Sequence, residues 1–469
     1  MPKKIDIKKL EKDLKFKPSL VWDKLSELEK KATFAMGEDY KAFLDAAKTE
    51  REAVVEIEKR ALAAGFKPMG SAKKPGPVFA KFMEKTAALA IPGEKPITEG
   101  IRLIVSHIDS PRLDLKPNPL YESIDMAFLK THYYGGIKKY QWLSRPLALH
   151  GRVIKSDGKA VDIIFGEDAN DPVLTIADLL PHLAASQVDK KVTDAFPGEK
   201  LNLLMGSLPL GDDKVKERFK LAILQLLNEK YGLVEEDFLS AELEAVPAGK
   251  SRDVGLDKSL IGGYGQDDRV SAYASLDALV KVNKPLYTCL ALFMDKEEIG
   301  SAGATGSNSR LLEVFLDDLF VQAGLNPSSA ALRKALLNTK AISADVTAGL
   351  DPDFQEVHEK TNAARIGYGP SVTKYTGARG KSGASDASAE YVGWLRNVFN
   401  RNKVTWQTGE LGKIDEGGGG TVALFFAKYG MEIVDCGVPL IGMHSPFEVS
   451  SKADVFMTRQ AYESFYSAK

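Results

Sequence analysis

The chain has 469 residues, with 63 Lys and Arg against 64 Asp and Glu, a net charge of −1 and two cysteines. That balance excludes the basic surface that a nucleic acid or an anionic membrane would select, and the length suffices for two domains around a large core. No apolar run nears a bilayer span. The basic start Met1-Pro2-Lys3-Lys4 leads into a charged amphipathic stretch rather than a signal segment. Cys289 and Cys436 sit inside apolar runs as packing residues, which points to a reducing, cytoplasmic compartment.

Residues 1 to about 110 carry mixed helical patterns and end in an apolar run, 101–105, that opens into Ser106-His107-Ile108-Asp109-Ser110-Pro111. The texture changes over 111–250. There, 147–165 reads as a β-hairpin around Asp157-Gly158, 217–231 as a helix, and Ala248-Gly249-Lys250-Ser251 as a linker. Next comes Gly262-Gly263-Tyr264-Gly265-Gln266-Asp267-Asp268-Arg269. Ala272, Leu276, Leu279 and Val280 then follow helical spacing, so the aspartates stand at a helix entrance. That place favours an anion and equally suits a plain N-cap.

The run 289–294 reads as a buried strand and gives way to Asp295-Lys296-Glu297-Glu298-Ile299-Gly300-Ser301. A further run, 341–344, meets Asp345. A loop at 373–382 concentrates cations, among them Lys374, Arg379 and Lys381. It reads first as a solvated basic loop, and second as a receiver for an acidic side chain or a peptide carboxylate. Glu416-Gly417-Gly418-Gly419-Gly420 precedes an apolar run at 422–426 and is expected to line a site rim, since glycine permits close backbone approach. The last apolar run, 434–443 with interruptions, ends at His444-Ser445-Pro446, and the segment after Ser450-Ser451 reads as a surface helix.

Taken singly, each of these groups has a plain explanation. A histidine after a strand is usually a hydrogen-bonded structural residue, paired glutamates are usually solvated, and aspartates beside glycine shape turns. His132, His150 and His358 are read that way. Solvation does not explain acids and histidines at the ends of apolar runs in several unconnected segments. In open α/β sheets such strand exits converge on one crevice.

Imidazole and carboxylate ligands without thiolate suit zinc or cobalt. Two cations close together need a bridging anion, and an aspartate offers one oxygen to each. The chemistry therefore puts His107 on one metal, His444 on the other and Asp268 between them, with Glu298 and Asp345 completing the shells. Glu297 is the expected general base on the bridging water. Asp109 is expected to take the other ring N–H of His107 and fix its tautomer.

The motifs at 106–111, 295–301, Ser343-Ala344-Asp345 and Gly442-Met443-His444-Ser445 resemble those of the M18 metallo-aminopeptidases, in order, from about position 100 to the C-terminus. The resemblance implies a mixed-sheet α/β metallopeptidase catalytic domain, 1–110 plus 251–469, interrupted by a smaller β-rich dimerisation domain at 111–250. It implies two zinc ions per subunit, with cobalt or manganese as alternatives, and removal of N-terminal residues from peptides. A tetrahedral dodecamer is also implied, and a preference for acidic N-terminal residues is one option within the family. Carried over by position, the metal residues are His107, Asp268, Glu298, Asp345 and His444, with Glu297 catalytic. Asp268 is taken over Asp267 by motif register. Relatives often carry Pro-His-Leu-Ala-Ile-His where this chain reads Pro181-His182-Leu183-Ala184-Ala185-Ser186. His182 is therefore either a metal or neighbouring-subunit residue, or an ordinary helix-capping one. Two other functions fit the composition: a di-metal amidohydrolase acting on N-acyl amino acids, and a non-catalytic self-assembling shell.

Overall fold

The computed structural model describes residues 6–71 and 75–469, so the Met1-Pro2-Lys3-Lys4 start lies outside the described residues. Its central feature is a nine-stranded mixed sheet. The four middle strands, Thr288–Met294, Ile101–His107, Lys340–Ser343 and Glu432–Gly437, lie side by side and run parallel. Thr86–Ile91 and Val78–Phe82 extend the sheet antiparallel on one side. Ser371–Thr373 joins antiparallel on the other, followed by Gln407–Thr408.

Every residue of Ile101–His107 and of Thr288–Met294 is buried. Strands covered on both faces must be apolar throughout, which is why these runs lack alternation. The faces still separate with period two. Cys289, Ala291 and Phe293 point into one core, while Leu290, Leu292 and Met294 point into the other. The first core is closed by the helices Glu27–Ala46, Glu50–Ala63, Gln266–Leu279, Ala389–Arg401 and Lys452–Tyr466, and the second by Leu311–Gln322 and Ser329–Leu337. Ser26 and Thr49 start the first two of these helices with capping boxes to Glu29 and Glu52.

A second sheet of six strands, all paired antiparallel, is drawn from residues 112–247. It has its own apolar core, including Leu113, Leu129, Trp142, Leu149 and Leu203. The helix Arg218–Tyr231 turns Phe219, Ile223 and Leu227 onto that core at four-residue spacing. Leu147–Ile154 and Ala160–Phe165 form the expected hairpin, with Gly158 at φ +80° in its turn.

The C-terminal segment departs from expectation. Lys452–Tyr466 is a core helix in which Ala461, Tyr462 and Phe465 are fully buried. Two of its charged residues, Lys452 and Asp454, are paired inside the protein. Lys452 Nζ lies 2.8 Å from Asp253, and Asp454 accepts the Gly367 and Gly369 N–H groups at 2.6 and 2.7 Å. Among the described residues no helix is long and apolar enough to cross a membrane.

Candidate metal centre

The parallel strands deliver their polar ends to one place. His107 is the last residue of its strand. Thr288–Met294 runs into Asp295 and the 3₁₀ turn Glu297–Ile299, and Asp345 follows Lys340–Ser343 by two residues. Glu432–Gly437 leads through Pro439–Leu440 to His444, which stands in a turn at φ +64°. The helix Gln266–Leu279 enters from beside the sheet, and its first turn is not helical at Asp267 and Asp268, which frees both carboxylates from the helix surface.

Asp267 lies between the two histidines. Its Oδ1 is 3.1 Å from His107 Nε2 and its Oδ2 is 3.1 Å from His444 Nε2. Asp345 Oδ1 stands 4.0 Å from the same His107 nitrogen, and Glu298 Oε2 stands 3.5 Å from that of His444. Two ligand groups thus share one carboxylate: His107, Asp267 and Asp345 on one side, and His444, Asp267 and Glu298 on the other, each with donor atoms within 4.8 Å of one another. Glu297 gathers with His107 and Glu298 in a third such group.

The motif register had put Asp268 in the middle; the geometry puts Asp267 there. Asp268 is fully buried behind it, with Oδ2 accepting the His107 backbone N–H at 3.3 Å. The two residues adopt different backbone angles, (−81°, 106°) and (−113°, 25°), and so send their side chains to different neighbours.

The electrostatics describe acids in need of cations. Burial pushes Glu298, Asp345 and Asp268 well above the carboxylate range, and the charge of Asp267 raises each further. Burial likewise lifts Glu297 to about 7. Burial opposes charging of His107, but hydrogen bonds to Asp109 and Asp267 outweigh it and raise its value. Glu298 Oε1 and Asp268 Oδ1 are buried with no hydrogen-bond partner among the described residues. Imidazoles and carboxylates with unused lone pairs, packed where they repel one another, fit divalent metal and fit little else.

Neighbouring groups hold these donors in place. The Asp109 backbone carbonyl accepts from His107 Nδ1 at 3.1 Å, which fixes the ring tautomer and leaves Nε2 for the centre. The Asp109 carboxylate mainly organises the glutamate turn, accepting the Glu297 and Glu298 N–H groups at 3.1 Å each. A second clamp was missed from the sequence. Glu448, 1% exposed, accepts the His444 N–H at 2.7 Å and the Asp267 N–H at 3.1 Å. None of the motifs read from the sequence reaches it, and its one signal was its place four residues after His444. Glu448→Ala leaves both N–H groups unpaired, and zinc affinity measured by chelator competition is expected to fall about 10- to 100-fold. Wild-type affinity in that variant would show that the clamp is dispensable.

A cleft of about 570 Å³ opens over the centre, lined by His107, Asp267, Glu297, Asp345 and His444 at its base. Arg379, Lys381 and the glycines 417–420 form part of its wall, with Gly418–Gly419 paired to Gly377–Ala378. Lys374 does not line it; its amine faces Asp386 at 3.6 Å, and Lys381 reaches the same carboxylate at 3.1 Å. His182 lies exposed in the short turn Pro181–Leu183 and joins none of the ligand groups among the described residues. His150 is a structural residue, buried between Glu52 and Glu167 at 2.7 and 3.0 Å.

An α/β sheet whose parallel strands bring two histidines and three acids to their exits, around Asp267 from the adjoining helix, has the site of a metal-dependent hydrolase. The family model for aminopeptidase I zinc metalloproteases (M18) matches residues 43–466. A probable M18 family aminopeptidase 1 of Clostridium acetobutylicum is 48% identical over 451 residues, 95% of this chain and 97% of the relative. The crystal structure of a Thermotoga maritima M18 aminopeptidase superposes with a TM-score of 0.93 at 46% identity, over 97% of this chain and 100% of the other. A solved dodecamer of mApe1 from S. cerevisiae shares the fold at a TM-score of 0.74 and 19% identity, over 92% of this chain and 96% of the other. The chain belongs to the M18 family of zinc metalloproteases, and it is an aminopeptidase.

Proposed function

We propose that this aminopeptidase works with two zinc ions per subunit. His107, Asp345 and Asp267 would hold one, and His444, Glu298 and Asp267 the other. The observation that carries this reading is the Asp267 carboxylate, 3.1 Å from both imidazoles. Bound zinc supplies Lewis acidity, polarising the scissile carbonyl and making water acidic enough to attack at neutral pH. Glu297 takes the proton of the attacking water and delivers it to the leaving nitrogen, so the C–N bond breaks as the amine becomes neutral. Asp109 holds Glu297 and Glu298 in register throughout.

The peptide lies along the glycine wall, where Gly418 lets a backbone approach closely. Arg379 and Lys381 at the wall favour an acidic N-terminal side chain or a peptide carboxylate. Residues 111–250 are read as the dimerisation domain of a cytoplasmic dodecamer; for the assembly alone, the solved mApe1 of the same fold is a dodecamer.

The test is a panel of aminoacyl and N-acetylated peptides, assayed after chelation and again with zinc, cobalt or manganese restored. Expected are loss of cleavage on chelation, recovery with metal, and cleavage confined to free amines, with acidic residues ranked high. Cleavage of the acetylated substrates would replace this reading by an amidohydrolase. Lack of turnover with any metal would favour a non-catalytic shell.

A further inference from the structure

A short segment of the six-stranded sheet reaches the metal centre. The sheet's strand Met126–Tyr134 ends in Tyr134-Gly135-Gly136, and both ends of that tripeptide reach the site. Tyr134 Oη donates to Asp109 Oδ2 at 2.8 Å, beside the Glu298 N–H that the same oxygen accepts at 3.1 Å. Two residues on, the Gly136 carbonyl accepts from His444 Nδ1 at 2.8 Å. That bond keeps the proton on Nδ1 and turns the Nε2 lone pair toward Asp267.

The close approach depends on the glycines. Gly135 has φ +74°, and a Cβ there would meet Glu298 Oε2 at 3.2 Å. A Cβ on Gly136 would stand 3.3 Å from His444 Nδ1. Tyr134 is also held from behind. The Arg112 guanidinium lies 3.9 Å over its ring and is itself paired to Glu50 and Glu244, both at 3.2 Å. The hydroxyl therefore has a fixed direction. Asp109 receives it with one oxygen while the other takes the Glu297 N–H.

We propose that Tyr134 is a positioning residue, acting through Asp109 on Glu297 and Glu298, and that Gly136 sets the His444 tautomer. The segment 134–136 thereby completes the metal site of its own chain. This rests on the metal-centre reading above, and its consequence is that any displacement of the second sheet loosens the group of His444 and Glu298 from both sides at once. One arm acts on the turn carrying Glu298 and the general base, and the other on the histidine that faces Glu298.

Tyr134→Phe tests it in the full chain, because the ring under Arg112 stays and only Oη is lost. Zinc affinity by competition with a chromogenic chelator is expected to fall about 10- to 100-fold, and kcat to fall by a similar factor with KM little changed. Tyr133→Phe, next door and outside the network, is expected to match wild type in both. Gly136→Ala probes the other arm, because a Cβ there would stand 3.3 Å from His444 Nδ1 and crowd the ring off the carbonyl, and it is expected to weaken zinc to a comparable extent. A Tyr134→Phe protein that melts lower but keeps wild-type zinc affinity and kcat would overturn the proposal, since a purely structural tyrosine behaves that way. Unchanged affinity in Gly136→Ala would overturn the part assigned to Gly136. If wild type cleaves no peptide at all, the proposed function fails, yet the zinc titrations still decide this inference.

Discussion

Glu297→Gln is expected to keep its metal and lose kcat by about 10²- to 10⁴-fold, the range that a general base contributes, or about 3–5 kcal/mol of transition-state stabilisation. The amide matches the carboxylate in volume, and the turn that carries it is set by Asp109 accepting the Glu297 and Glu298 N–H groups, which the substitution leaves alone. What disappears is the ability to take a proton. Glu297 lines the cleft beside His107, Asp267 and Asp345, and burial lifts it to about 7, near neutrality. A base must be ionised to accept the proton and basic enough to hold it until the amine leaves, and burial supplies the basicity. Cations next to it draw the value down, so the loaded enzyme should keep its base ionised below pH 7. Steady-state kinetics with parallel metal analysis check the prediction. Wild-type turnover would remove Glu297 from the proton path. Loss of metal together with turnover would make it a ligand rather than a base.

Much of this site could be read before any coordinates because of how parallel strands are covered. Ile101–His107 and Thr288–Met294 are buried on both faces, so a polar residue at their ends stands out against an unbroken apolar run. His107, Glu297, Glu298, Asp345 and His444 all carry that signature, and the structure brings all five together. The mixed-sheet α/β class was legible for the same reason. Contacts between distant segments were not. Nothing in the pattern around Tyr134 or Gly136 says that they meet Asp109 and His444, the second pair being 308 positions apart. The last helix was read as a surface element, yet Lys452, Asp454 and Thr458 lie on its buried side. All three are buried, and Lys452 and Asp454 have partners in segments far away in sequence. Binary pattern reports which residues prefer water, and it cannot tell a solvated charge from one satisfied inside.

The choice between Asp267 and Asp268 shows where pattern stops, and it carries the other large prediction. Both are acids at a helix entrance, both are buried, and motif register favoured the second. Their roles separate only through local backbone angles, which send one carboxylate between the histidines and the other under the His107 N–H. Asp267→Asn is therefore expected to weaken zinc by more than about 100-fold, beyond what altering a residue behind the ligands does, because the lost charge serves both ligand groups. Zinc stoichiometry should fall below two per chain, and the thermal stabilisation by added zinc should shrink. Wild type should gain about 2.7 kcal/mol for each site at a hundredfold excess of free zinc over its Kd, and a weakened site much less. Asp268→Asn keeps an oxygen for the His107 N–H and removes a charge one layer back, so its zinc affinity should drop by about 10-fold at the mild end of the usual range. The two variants thus form an ordered pair, read by the same titration and the same melting curve. If the order inverts, with Asp268→Asn losing both ions and Asp267→Asn holding them, the bridge belongs to Asp268.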